Sequence, residues 1–295
     1  MTIAFESIHP MFAARVSGVD LSRPLPDGAA AELEDAMARY AVLVFNGQDI
    51  DDEQQVAFSR TFGNIEDSRG GNPTQTKKRL DAQLNDVSNL GPNGKPLAVD
   101  DRRRAFNLGN HLWHTDSSFR ATPAKYSLLS ARRIPSAGGN TEFADMRAAY
   151  DALDRETQTR IEGLICEHSL LHSRARLGFL DWSPEERAQM QPVLQSLVRT
   201  HPISKRKSLF IASHAGKIVG WSEAEAKLFL LDLMERATQR AFVYVHEWSR
   251  HDLVMWDNRC VLHRARAYDP TVVRDMRRTT VAGDEMTAEQ LNSAA

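Results

Sequence analysis

Two cysteines, Cys166 and Cys260, are all that a chain of 295 residues carries. They are too few and too far apart for a disulfide framework or a thiolate zinc site, so a reducing compartment is expected. No apolar run reaches the ~18 residues that a membrane-spanning helix needs. The opening MTIAFESIHPMFAARVSGVDL lacks a basic segment followed by an apolar one, so no secretory signal is expected. An excess of one charge is missing too: 37 basic residues stand against 39 acidic ones, which leaves no field to recruit nucleic acid or an anionic membrane. Repeats are absent. These absences together predict a cytoplasmic protein without nucleic-acid or membrane partners, whose function lives in a local site.

What is present is a mixture of strand and helix signals. The length suits one elaborated domain with a sizeable core, read as residues 1–283, followed by a flexible tail over 284–295. YAVLVFNGQ is a short apolar, β-rich run ending in a turn signal, and DDEQQVAFSRTFG has acidic residues at its start and glycine after its end; the pair reads as a buried strand and a capped helix. The stretch EDSRGGNPTQTKKRLDAQLNDVSNLGPNGKPLAVDDRRR is too long for an ordinary connection and is read as a lid-like insertion at about 66–108. DMRAAYDALDRETQTRIEGL and SEAEAKLFLLDLMERAT have helical periodicity, the second opening on a Ser222/Glu225 capping box. AKYSLLSARRI, NTEFADM, SLFIASHA, AFVYVHEW, DLVMWDN and RDMRRTTVAG read as strands, several of them in the last third of the chain at spacings that suit a barrel or jelly roll.

The segment GNHLWHTDSSF packs His111, Trp113, His114 and Asp116 together. If it is extended, side chains alternate, so His114 and Asp116 share a face opposite Trp113 and Thr115. Two such groups form one edge of a coordination face, and a metal needs at least one more ligand from elsewhere. Taken alone, the pattern is a weak metal signal and reads first as a histidine and an aspartate hydrogen-bonded to each other at a strand end.

The far end of the chain changes that balance. DLVMWDNRCVLHRARAYDPTVVRDMRRTTVAG reads as an apolar strand, a turn at Asp257 and Asn258, a short strand carrying His263, and an arginine-bearing strand. His-x-Asp, a distant histidine in W-D-N-R…H-R, and Arg274 beyond it resemble the iron(II)- and 2-oxoglutarate-dependent dioxygenases of the taurine dioxygenase family. Within that family, LWHTDSSF, GGNTEFADMRAAYDAL, LVRTHP, ATQRAFVYVHEW and LVMWDNRCVLHRARAYD resemble most the branch acting on 2,4-dichlorophenoxyacetate and other aryloxyalkanoates. The likeness runs from about residue 10 to 283. It implies a mostly β fold with flanking helices, the double-stranded β-helix or jelly roll.

Carried over residue by residue, the resemblance implies His114, Asp116 and His263 as catalytic Fe(II) ligands, a 2-His-1-carboxylate triad that leaves positions open for 2-oxoglutarate and O2. An open His₂Asp zinc hydrolase has the same ligands, but it has no use for Arg274. In the family the matching arginine forks onto the distal carboxylate of 2-oxoglutarate, assisted by the hydroxyl that Thr141 matches. Parity within RDMRRTT then puts Arg274, Met276, Arg278 and Thr280 on one face. A second buried guanidinium requires an anion, so Arg278 is expected to meet the acidic group of a small anionic substrate, as its family counterpart does. Arg277, on the other face, reads as a solvated charge. His201 and His214 match positions that line the substrate pocket in the nearest branch. Asn110 turns inward by parity with His114, and Ser117 flanks the ligands as a candidate donor to them. His168, His172, His246 and His251 read as structural, and Arg69 or Lys77 as basic groups that could close over an anion. The reaction implied is decarboxylation of 2-oxoglutarate coupled to hydroxylation beside an acidic group, cleaving an aryloxyalkanoate to a phenol and glyoxylate. Oxidation of taurine or another sulfonate or carboxylate, and a non-catalytic metal-binding β-helix protein, are the alternatives. The family's assemblies make a homo-oligomer the expectation.

Overall fold

The computed structural model describes residues 2–68, 73–74 and 79–290; Arg69 and Lys77 lie outside them. The run Val42–Phe45 forms β3, buried on both faces, as a continuous apolar strand should be. It pairs parallel with β2 (Ala14–Ser17) and antiparallel with β13 (Leu253–Asp257). With β1 (Ala4–Ser7), β4 (Asn85–Asp86), β5 (Tyr126–Arg133) and β15 (Asp275–Val281) they make a seven-stranded sheet of order β1-β2-β3-β13-β5-β15-β4. A second sheet of order β12-β6-β14 is built from β12 (Val243–His246), β6 (Thr141–Asp145) and β14 (Val261–Ala265). Val44, Leu129 and Met276 from the first sheet and Phe143 and Val261 from the second share one buried cluster with Trp256. Two sheets closing on a common interior make the jelly roll that the resemblance implied.

Helices cover both outer faces. Outside the large sheet, α1 (Ala29–Tyr40) and α2 (Asp52–Arg60) bury Leu33, Met37 and Phe58 against Leu43, Leu128 and Met255. The capping box of α2 runs between Asp51 and Gln54. Beyond the small sheet, α4 (Met146–Asp151) and α8 (Glu223–Ala237) pack with a sheet of order β11-β7-β8, formed by β7 (Ile165–His168), β8 (Val193–Ser196) and β11 (Ala215–Ile218). The ribbon of β9 (Val198–Thr200) and β10 (Lys207–Leu209), the short helices α3 (Arg102–Asn107), α5 (Arg155–Ile161), α6 (Leu170–Ala175) and α7 (Pro184–Gln189), and two 3-10 turns at Leu108–His111 and Arg240–Phe242 complete the described elements. Among the described residues no helix is long and apolar enough to cross a membrane.

Several local expectations change. DMRAAYDALDRETQTRIEGL is two helices, because the Asp154 side chain accepts the Thr157 amide and starts α5 afresh. HLWHTDSSF is not a strand. Only His114 bridges, to His263, after which Ser117 adopts φ 58° and turns the chain away. The insertion read as lid-like carries regular elements among its described residues: β4 pairs with β15 and Asp101 caps α3. Thr287 and Gln290 in the tail hydrogen-bond the backbone of β8.

One buried ion pair ties the turn after β13 to the rest. Asp257 accepts from Arg259 Nε at 2.8 Å and Nη2 at 2.6 Å, and from His201 Nε2 at 2.9 Å, all within the core. Replacing Asp257 with alanine strands a buried guanidinium, and the expected loss of stability is about 3–5 kcal/mol, read as a lower urea midpoint. An unchanged midpoint would show that the pair contributes nothing.

Candidate active site

The His114–His263 bridge is a reciprocal pair of backbone hydrogen bonds, His114 N to His263 O at 3.0 Å and His263 N to His114 O at 2.7 Å. It sets the two rings 4.1 Å apart, centroid to centroid. Asp116 enters from the turn that follows, its amide donating to Asn258 Oδ1 at 3.1 Å. Asn258 Nδ2 donates to Ser127 Oγ at 2.9 Å, and that hydroxyl donates to Asp116 Oδ2 at 2.7 Å. So a turn on one strand connection and a side chain on β5 fix the carboxylate. Ligand atoms of His114, Asp116 and His263 lie within 4.8 Å of one another, and all three residues are buried.

The donor chemistry of this trio fits a metal ion. Nδ1 of His114 donates to the Leu112 carbonyl at 2.8 Å, which leaves the Nε2 lone pair free. Among the described residues neither ring nitrogen of His263 is hydrogen-bonded: Nδ1 has no partner, and Nε2 stands 3.8 Å from Asp116 Oδ2. Burial pulls the pKa of His114 down to about 4 and that of His263 well below its ordinary value, so both are neutral ligands at neutral pH. Burial opposes ionisation of Asp116, but Arg278 and the two imidazoles outweigh it and hold the carboxyl at about 2.

The depressed histidines give the metal-free protein an acid limit. His168, pulled down to about 3 by burial, and His214, well below 6.5 for the same first reason, join His114 and His263. Below the unfolded value of 6.5 the unfolded chain takes up protons that the folded chain refuses, so stability falls with pH. Each histidine contributes about 1–2 kcal/mol to that loss by pH 5. Urea unfolding of apo protein is expected at a clearly lower midpoint at pH 5 than at pH 7; equal midpoints would contradict the burial of these rings.

Two cavities meet at His114, Asn110 and Arg278. The larger, about 260 Å³, is lined by Thr141 and Arg274 as well as by His114 and His263. Arg274 is 4% exposed and meets no carboxylate among the described residues. Its Nη1 and Nη2 reach only the Val87 and Gly139 carbonyls, both at 3.4 Å, and burial lowers its pKa to about 10. Thr141 Oγ1 accepts from Trp248 Nε1 at 3.0 Å, which leaves its own proton for an acceptor in the cavity. Trp248 gives no signal of this in the sequence. The described part of the insertion walls the same cavity through Val87, Asn89 and Leu97.

The smaller cavity, about 90 Å³, brings His214, Ser117, Asn110 and Arg278 beside His114 and Asp116. Ser117 Oγ donates to Glu66 at 2.7 Å, and His214 Nδ1 lies 3.0 Å from Ser173 Oγ. Arg278 does not wait for a substrate anion: its Nη1 donates to Asp116 Oδ1 at 2.6 Å. His201 is not in either cavity. Its Nδ1 accepts from the Ser204 amide at 3.1 Å, so Nε2 carries the proton given to Asp257. That also disposes of His201, Asp257 and Cys260 as a second metal site, although their atoms cluster: the imidazole and both carboxylate oxygens are spent, and burial pushes the thiol far up. Arg277 is not solvated either. It pairs with Asp52 at 2.5 Å on α2 and approaches Asp275 at 3.7 Å.

The comparisons with known proteins agree with this geometry. The family described as taurine catabolism dioxygenase TauD, TfdA family matches residues 4–280. The chain is 48% identical over 287 residues (96% of this chain, 99% of the relative) to the alpha-ketoglutarate-dependent 2,4-dichlorophenoxyacetate dioxygenase of Cupriavidus pinatubonensis. It is 38% identical over 295 residues (96% and 97%) to the (S)-phenoxypropionate/alpha-ketoglutarate-dioxygenase of Sphingobium herbicidovorans. Among solved structures, AAD-2 in complex with Mn(II) and N-oxalylglycine superposes with a TM-score of 0.95 at 61% identity, covering 98% of this chain and 100% of that one. A match over nearly its whole length establishes that the chain belongs to the TauD, TfdA family of dioxygenases.

Proposed function

We propose that the protein is an Fe(II)- and 2-oxoglutarate-dependent dioxygenase that cleaves the ether of aryloxyalkanoates of the 2,4-dichlorophenoxyacetate type to a phenol and glyoxylate. The observation that carries the reading is a cavity in which His114 and His263, clustered with Asp116, face the buried guanidinium of Arg274, which meets no carboxylate among the described residues. His114, Asp116 and His263 would hold the iron. The chemistry supplied there is oxygen activation coupled to decarboxylation of 2-oxoglutarate to succinate and carbon dioxide, with one oxygen atom delivered to a substrate C–H bond.

The chain's own residues choose that bond. Arg274 takes the distal carboxylate of 2-oxoglutarate as a fork, and the Thr141 hydroxyl, its lone pair engaged by Trp248, donates to the same group. Arg278 and Asn110 turn toward the shared mouth of the two cavities, where the acid of the substrate has to sit. Anchoring both anions leaves few orientations, and a buried site excludes water from the reacting carbon. Hydroxylation of the carbon between ether oxygen and carboxylate gives a hemiacetal, which collapses to phenol and glyoxylate. His214 belongs to the wall of the substrate space, and Ser117 acts through Glu66. The free, buried thiols of Cys166 and Cys260 support a reducing, cytoplasmic setting. Leu228 and Leu231, exposed side by side on α8, support a homo-oligomer.

A substrate panel tests the reading. Iron-loaded protein is expected to release phenol from 2,4-dichlorophenoxyacetate and from 2-phenoxypropionates, and to leave taurine untouched. Sulfite from taurine without phenol from any aryl ether would move the substrate class to sulfonates.

A further inference from the structure

Among the described residues, three guanidinium groups line the smaller cavity, and two of them are paired: Arg278 with Asp116 at 2.6 Å and Arg120 with Glu66 at 3.5 Å. The third, Arg174, projects from α6 and is 5% exposed. No carboxylate of the described residues answers it. Among the described residues its polar contact is Nη1 to Ser173 Oγ at 3.2 Å, and Nε has no partner. A buried cation without an anion is costly by itself, and burial alone lowers its pKa only to about 10, so it stays charged.

What this cation can accept follows from what covers it. The ring of Phe106 lies 4.4 Å from Cζ, and the bare Cα of Gly109 sits over the group, where an added Cβ would come within 2.1 Å of Nη1 and 2.2 Å of Cζ. With its flat surface taken, the guanidinium offers its N–H edge, which suits an oxygen anion and not a stacked aryl ring. Arg278, meanwhile, has part of its donor set engaged by Asp116.

We propose that Arg174 is a specificity-determining residue that binds the substrate's carboxylate from the side opposite Arg278, so that the acid is held between two guanidinium groups. The assignment rests on the reading of the cavity as the substrate site. It also explains the glycine at position 109, whose missing side chain makes the room in which Arg174 lies flat.

Binding can be read apart from turnover in protein loaded with Mn(II) and N-oxalylglycine, which stand in for iron and 2-oxoglutarate. Calorimetric titration compares 2,4-dichlorophenoxyacetate with its uncharged analogue 2-(2,4-dichlorophenoxy)ethanol. Arg174→Met is expected to weaken the acid by about tenfold to a hundredfold and to leave the alcohol nearly unchanged, with Arg174→Lys in between. Gly109→Ala, which keeps the charge and displaces it, is expected to weaken the acid as well. Urea unfolding confirms that each variant is folded. Equal losses for acid and alcohol, or no loss for either, would overturn the inference. If the unaltered protein binds taurine and not the aryl acid, the substrate reading fails, and Arg174 is then judged by whether its removal weakens taurine.

Discussion

Asp116→Ala is expected to lower turnover by at least about a thousandfold, ~4 kcal/mol in the barrier. Two losses coincide at this residue. The metal face keeps only two imidazoles, and two neutral ligands hold a divalent ion far more weakly than two neutral ligands and an anion. Arg278, whose side chain is 21% exposed, also loses the carboxylate oxygen it meets at 2.6 Å, so the arginine is released toward the cavity and the substrate anion is drawn to the wrong place. The check is succinate formation over a range of Fe(II) concentrations, beside direct titration of the apo protein with Mn(II). Activity within tenfold of the unaltered protein at saturating iron would remove Asp116 from the metal site.

Arg274→Met acts on the other side of the same centre. Arg274 is 4% exposed, and two carbonyls at 3.4 Å and a face of Tyr268 surround its guanidinium. An anion in the larger cavity therefore gains a desolvated, unspent partner. The expected result is a KM for 2-oxoglutarate raised by about a hundredfold, ~2.7 kcal/mol of binding, with the KM for the aryloxyalkanoate little changed. Arg274→Lys should recover only a small part, because an ammonium cannot fork onto a carboxylate. A rise in the substrate's KM without one for 2-oxoglutarate would reverse the assignment of the two cavities.

The sequence makes some of this legible and hides the rest for definite reasons. A run such as VLVF can be buried on both faces only as a strand between layers, and it is one. Alternation along RDMRRTT turns Met276 into the sandwich while Arg277 reaches Asp52 and Thr279 reaches Ser59 on α2. Parity tells which face a side chain takes and nothing about who waits there. That is why parity does not foresee Asp116 at 2.6 Å from Arg278, and why it leaves Arg277 solvated when Asp52 is its partner. Likeness places His201 in the pocket because its partner, Asp257, lies 56 positions away and no local spacing links them. Extension of HLWHTDSSF is the wrong premise for a sound result: a single bridge and a turn at Ser117 gather His114 and Asp116 as a strand would. Arg174 leaves no trace, since a lone arginine on a six-residue helix looks like any solvated charge until the ring of Phe106 and the Cα of Gly109 are seen against it.

The measurement that bears most directly on the central claim is product stoichiometry. Protein loaded with Fe(II) without oxygen is given oxygen and 2-oxoglutarate, with and without 2,4-dichlorophenoxyacetate, and succinate and phenol are assayed together. The account predicts succinate and 2,4-dichlorophenol in equal amounts, with little succinate when the aryl acid is left out. Succinate indifferent to the acid, or no succinate from iron-loaded protein with any acid of the panel, would contradict it.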